Sequence, residues 1–127
     1  MSAALTIHRS NTILYCDRWK DCVAFYRDGL GFEIAFENDW FTEFVLNSAA
    51  RLSVADARRA SIKSARGQGI TLTFKVEDIS AAHRALEARG LTPDRVRKHA
   101  WGADLFHLAD PDGNRIEFWA DRAASTG

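Results

Sequence analysis

An α+β fold made of two βαβββ modules is predicted by three observations on the 127-residue sequence. A strand pattern at 11–16 leads into a helix pattern at 18–29, and the same grammar returns at 69–76 and 78–89. Each helix pattern stops beside a glycine, Gly31 and Gly90, the residue that most readily takes the left-handed backbone of a helix end. Each half then adds three short strands, at 32–37, 41–46 and 51–55 in the first and at 92–96, 104–109 and 114–119 in the second.

The elements follow in order. The first strand alternates so that Asn11, Ile13 and Tyr15 share the face expected to be open. After the first helix and its three strands, the stretch 56–68, rich in Arg, Lys, Ser and Ala, reads as a connection with room for a helical turn. The organisation is thus an N-terminal module at about 11–56, a linker at about 57–68 and a C-terminal module at about 69–120, within one domain spanning 1–127. In the fifth strand Ile70, Leu72, Phe74 and Val76 fall on one face and Thr71, Thr73 and Lys75 on the other, so the apolar face packs under the helices. The chain closes with two strands joined by Asp110-Pro111-Asp112-Gly113. Proline presets the second turn position, aspartates bond the turn's own amides, and glycine takes the dihedral that closes it. In the last strand Ile116 and Phe118 go under the helix, leaving Arg115, Glu117 and Trp119 on the open face. A hairpin around that turn sets His107 across the ladder from Glu117.

Composition narrows the function classes. The 17 basic and 17 acidic residues cancel and the basic ones are dispersed, which removes the electrostatic footprint of a nucleic-acid or anionic-membrane partner. No apolar run is long enough to span a bilayer, and the first ten residues lack a signal peptide's basic start and apolar centre, so the expected setting is cytoplasmic. Cys16 and Cys22 lack metal-motif spacing and are expected to be reduced thiols engaged in packing.

The hairpin from Trp101 to Trp119, with its Asp-Pro-Asp-Gly turn and Glu117, resembles the C-terminal signature of the vicinal-oxygen-chelate superfamily, which holds glyoxalase I, extradiol dioxygenases, and fosfomycin- and bleomycin-resistance proteins. The segment 17–32, with Phe25-Tyr26 and Leu30-Gly31, is similar to that family's first helix, and Val76-Glu77-Asp78-Ile79 to the opening of its second; the resemblance covers roughly residues 11–120. It implies a curved mixed sheet with a concave cleft, helices outside, and a metal held by the first, fourth, fifth and last strands. It also implies a homodimer. At the matching positions stand Asn11, Leu52 or Ser53, Thr71 and Glu117, of which only the glutamate is an ordinary ligand. One carboxylate does not hold a divalent ion, so no metal and no cofactor are expected. His8, His83 and His99 are read as solvated; His107 alone shares the open face, and a set of His107, Glu117 and Asn11 is the conceivable exception.

Without a metal, the open face still recognises ligands. Trp40, Phe41, Trp101 and Trp119 lie at loops or strand ends near the expected cleft, either as stacking surface or as closure of a core or dimer interface. Glu117 has an alternative role as a partner of Arg115. The expectation is metal-independent binding, or sequestration, of a small planar or aromatic molecule, as in the bleomycin-resistance branch. Trp101 and Trp119 would stack on it while Asn11, Tyr15, Thr71, His107 and Glu117 supply polar contacts. The rivals are a glyoxalase-like lyase or isomerase, or a dioxygenase, with a metal on the same face, and an association domain with a vestigial cleft. An acid–base pair of His107 and Glu117 is the main feature pointing to an enzyme; no catalytic residue is assigned.

Overall fold

Strand pairing follows the repeat in the sequence. The computed structural model describes residues 4–100 and 102–122, in two compact units that divide between Ser64 and Ala65. The first holds β1 (Ser10–Cys16), α1 (Trp19–Ala24), β2 (Glu33–Glu37), β3 (Phe41–Asn47) and β4 (Ala50–Asp56). The second holds β5 (Thr71–Lys75), α2 (Ile79–Ala88), β6 (Arg97–Lys98), β7 (Ala103–Ala109) and β8 (Arg115–Asp121). The sheet orders are β1-β4-β3-β2 and β5-β8-β7-β6, with β1 parallel to β4, β5 parallel to β8, and the other pairs antiparallel. The two sheets therefore share one topology, each a βαβββ module.

In the first unit, α1 continues through Phe25–Gly29 as a widened turn in which the Leu30 N–H donates to Phe25 O, five residues back. Its core is Leu14, Cys16, Cys22, Tyr26, Phe44, Leu52 and Val54, all buried. Tyr26 stacks near Phe32 at 6.2 Å and meets Phe44 at 6.0 Å. The stretch after β4 opens with a short turn, Ala57–Arg59, where Asp56 accepts the Arg58 N–H.

In the second unit, α2 starts where Asp78 accepts the Ala81 N–H at 3.0 Å. It ends where Gly90, at φ +83°, lets Leu91 N–H reach Leu86 O and Gly90 N–H reach Glu87 O. Ile79 and Leu86 from α2 pack with Leu72, Phe106, Leu108, Ile116 and Phe118; the Phe106 and Phe118 rings stack at 5.4 Å. Leu72, Phe106, Leu108, Ile116 and Phe118 are the residues that strand parity assigns to the helix side.

Asp110 ties the last turn together from inside. One carboxylate oxygen accepts the Asp112 and Asn114 N–H groups, both at 2.9 Å, and the other accepts Asn114 Nδ2 at 2.8 Å. Asp110→Asn keeps the shape but turns a donor toward Asn114 Nδ2 in a buried place, so it is expected to cost about 1–3 kcal/mol. Urea unfolding measures this; an unchanged midpoint would remove the side chain from any role in the turn.

The expected strand at 92–96 is corrected. Pairing with β7 is confined to Arg97 and Lys98. Pro93 has no N–H to extend the ladder. Continued register would also set Arg95 opposite His107, yet Asp94 takes that place. Its N–H donates to His107 O at 2.9 Å, and its Oδ1 accepts the His107 N–H at 2.6 Å. A side-chain carboxylate thus substitutes for a strand carbonyl.

Candidate functional site

Alternation along β8 builds the site. Ile116, Phe118 and Ala120 are buried under α2's side of the sheet, which turns Arg115, Glu117 and Trp119 to the other face. Parallel pairing places Thr73 beside Glu117, and antiparallel pairing places His107 opposite it. Both neighbours use that proximity. Thr73 Oγ1 donates to Glu117 Oε1 at 2.8 Å, and His107 Nε2 lies 3.0 Å from Glu117 Oε2.

The rest of the network sets the histidine's tautomer. Arg97 Nη2 lies 2.5 Å from His107 Nδ1, and a guanidinium only donates, so Nδ1 accepts and Nε2 carries the proton given to Glu117. Arg97 in turn holds Asp94 Oδ2 at 3.0 Å. Burial pushes the Glu117 carboxyl up, but hydrogen bonds from Thr73 and His107, with the charge interactions of His107 and Arg115, outweigh it and hold the group below its ordinary value. Burial likewise opposes ionisation of Asp94, and the His107 N–H and Arg97 reverse the balance.

A carboxyl depressed in the folded state stabilises the protein above its unfolded pKa, and that contribution is lost as pH falls through the folded value. Thermal midpoints followed into acid should therefore fall less steeply in Glu117→Gln than in the parent protein. Identical slopes would mean that Glu117 titrates alike folded and unfolded.

Beside this network lies a cleft of about 290 Å³, lined by Thr73, His99, Ala103, Leu105, Glu117 and Trp119. Its walls are aliphatic and aromatic with a few polar groups, the composition of a small-molecule site. Two roomier hollows, about 420 Å³ beside Asp17 and Arg58 and about 600 Å³ beside Glu77 and Asp121, are walled largely by charged side chains. Lys75 Nζ stands 5.0 Å from the centre of the Trp119 ring and pairs with Asp121 at 2.9 Å.

Among the residues singled out from the sequence, Glu117 and Trp119 line this cleft. His107 stands behind Glu117 rather than in the lining, and Thr71 lies two residues along the same face, accepting from Arg115 Nε at 3.1 Å. Trp101 lies outside the described residues. Asn11 and Tyr15 belong to the N-terminal unit, where Asn11 Oδ1 accepts the Ser53 hydroxyl at 2.8 Å and Tyr15 is half-buried. Of the two fourth-strand candidates, Leu52 is in the core and Ser53 shares the face with Asn11. Trp40 packs edge-on against Phe41 at 5.6 Å.

Two histidines read as solvated are not. His83 sits four residues after Ile79 and three before Leu86, on the buried stripe of α2. It meets Phe106 edge-on at 5.0 Å, and its Nε2 donates to Asp94 O at 2.8 Å. That helical spacing was there to be read. His99 is half-buried and lines the cleft because the chain turns back on itself there, its N–H bonding Ala103 O at 2.7 Å with Gly102 at φ +94°. Thr73 was the other residue missed, although its parity with Thr71 put it on the open face.

The side chains at the metal positions implied by the fold do not suit a metal. Asn11 and Ser53 bond each other, Thr71 accepts from Arg115, and each Glu117 oxygen already has a donor. Among the described residues of the C-terminal unit, no three His, Cys, Asp or Glu side chains bring ligand atoms together. Of the side chains at these positions, Glu117 alone is an ordinary ligand for a divalent ion.

Duplicated βαβββ modules with a polar and aromatic cleft on the open face define a class of small cleft-bearing α+β proteins. Sequence comparison makes the assignment specific. Residues 8–118 match the profile of the glyoxalase/bleomycin resistance protein/dioxygenase superfamily, and the chain belongs to that superfamily. No curated protein matches the sequence. Similar solved structures include a glyoxalase/bleomycin resistance protein/dioxygenase from Nocardioides, with TM-score 0.77 and 19% identity over 100% of this chain and 91% of that one. A lactoylglutathione lyase from Agrobacterium tumefaciens has TM-score 0.72 and 21% identity over 87% and 90%. TnmS3, an antibiotic-binding protein from Streptomyces sp. CB03234, has TM-score 0.73 and 20% identity over 94% and 99%. No described helix is long and apolar enough to cross a membrane.

Proposed function

We propose that this protein binds a small planar or aromatic molecule in the cleft of its C-terminal unit without a metal, and acts by holding it. The observation that carries the reading is the state of Glu117. Its oxygens are engaged by Thr73 and His107, next to a cleft that Trp119 and Leu105 make apolar. A carboxylate so engaged serves as a fixed acceptor, while the aromatic wall offers rigid area for stacking at small entropic cost. A fold shared with an antibiotic-binding protein accords with this.

The same reading includes a homodimer and a cytoplasmic setting, the latter resting on the buried thiols Cys16 and Cys22. The competing reading, a metal-dependent lyase, isomerase or dioxygenase, draws on the contact between His107 and Glu117. It requires ligands besides Glu117, which the neighbouring Thr71 and Thr73 hydroxyls do not supply.

Metal analysis of protein purified without chelator separates the two. The expected result is zinc, nickel, manganese and iron all far below one per chain, with quenching of tryptophan fluorescence by planar aromatic probes. Stoichiometric metal that disappears in Glu117→Gln would overturn the proposal.

A further inference from the structure

Resting on that reading, we infer that the cleft selects planar ligands that present hydrogen-bond donors, above all protonated amino-heteroaromatics, over anionic or donor-free ligands of the same shape. The argument is an accounting of protons. Glu117 is an acceptor with two oxygens, each able to take two hydrogen bonds and each taking one, from Thr73 and from His107. The Thr73 hydroxyl has a single proton and gives it to Glu117, so toward an entering molecule Thr73 offers only lone pairs. The His107 Nε2 proton is likewise given to Glu117. At the cleft wall Glu117 and Thr73 therefore present acceptors, beside the His99 and Trp119 rings. A ligand carboxylate or phosphate would face them unpaired, whereas an N–H would complete them.

Charge points the same way. Arg97 and Asp94 form a pair, and the carboxylate that reaches the cleft lining is that of Glu117. The neighbouring cations each have a partner. Arg115 bonds Thr71, and Lys75 pairs with Asp121 over the Trp119 ring. Stacking against Trp119 supplies affinity to any planar ligand, and Glu117 with Thr73 supplies the preference among them.

Three probes of one shape test this by calorimetric titration at neutral pH: 4-aminoquinoline, a cation with N–H donors; 4-methylquinoline, neutral without them; and quinoline-4-carboxylate, an anion. The aminoquinoline is expected to bind roughly tenfold or more tighter than the methyl compound, since a charge-assisted hydrogen bond separates them, with the carboxylate weakest. Glu117→Gln should bring the three together, and Trp119→Ala should weaken all three alike. The comparison in the parent protein stands even if a variant fails to fold. Equal affinities for the three probes, tighter binding of the carboxylate, or a preference that survives Glu117→Gln would overturn the inference and leave the planar-ligand reading standing. Absence of binding by every probe would overturn both.

Discussion

Alanine at position 67 is expected to cost on the order of 4 kcal/mol, enough to leave the protein unfolded or nearly so, because two backbones meet there. Gly67 has φ +79°, and a Cβ on it would stand 1.9 Å from Gly113 O and 2.5 Å from Gly113 C. From the other side, a Cβ on Gly113 would stand 3.0 Å from Arg66 O. Backbone atoms cannot rotate out of the way as the end of a long side chain does, so the turn before β5 would be driven off the turn before β8. Those turns launch the strands that bring Thr73 beside Glu117, so the site should be lost together with stability.

Gly90→Ala is the control. It has a similar φ of +83° but nothing within 4 Å of its Cβ, so only the left-handed backbone is penalised, by about 1 kcal/mol. Urea unfolding of both variants reads the difference. Equal losses would mean that dihedral strain, and not the close approach, governs position 67.

Trp119→Ala is expected to weaken binding of a planar probe by about ten- to a hundredfold, the equivalent of about 1–3 kcal/mol of lost burial and aromatic contact. Trp119 lies opposite Leu105 on β7 and beside Lys75 on β5, and with Leu105 it forms much of the apolar wall of the cleft. Its ring is half-buried and outside the Phe74, Phe106 and Phe118 cluster, so the thermal midpoint should move far less than the affinity. Trp119→Phe, which keeps a smaller ring, should fall between. An unchanged dissociation constant in Trp119→Ala would place the ligand elsewhere. The same titration on Trp101→Ala tests the other tryptophan that the sequence singles out.

Much of this architecture is legible in residue order alone. The helix pattern at 78–89 differs from the observed Ile79–Ala88 by one residue at either end, since Asp78 caps it locally and Gly90 ends it locally. The placing of Glu117 and Trp119 on one face and Ile116 and Phe118 on the other follows from a period of two, which needs no knowledge of any other strand. The turn between 110 and 113 is short enough to imply the pairing of His107 with Glu117 across its hairpin.

What escaped depends on contacts between residues far apart in the chain, or on side chains doing the work of backbone. The strand expected at 92–96 carries a fitting residue pattern, but Asp94 bonds His107 through its carboxylate, and periodicity has no term for that. Thr73 was on the right face, yet its bond to Glu117 depends on the parallel register of β5 and β8, 44 residues apart. His99 reaches the cleft through a turn whose direction is set by Ala103 and Gly102, and Gly67 matters because a second loop passes against it.

The sequence by itself determined the duplicated fold and the faces of its strands, because alternation and capping are local properties. Only the tertiary structure decided which donors engage Glu117, which tautomer His107 holds and where the cleft opens. Each of those depends on register and direction between segments that the chain brings together only on folding.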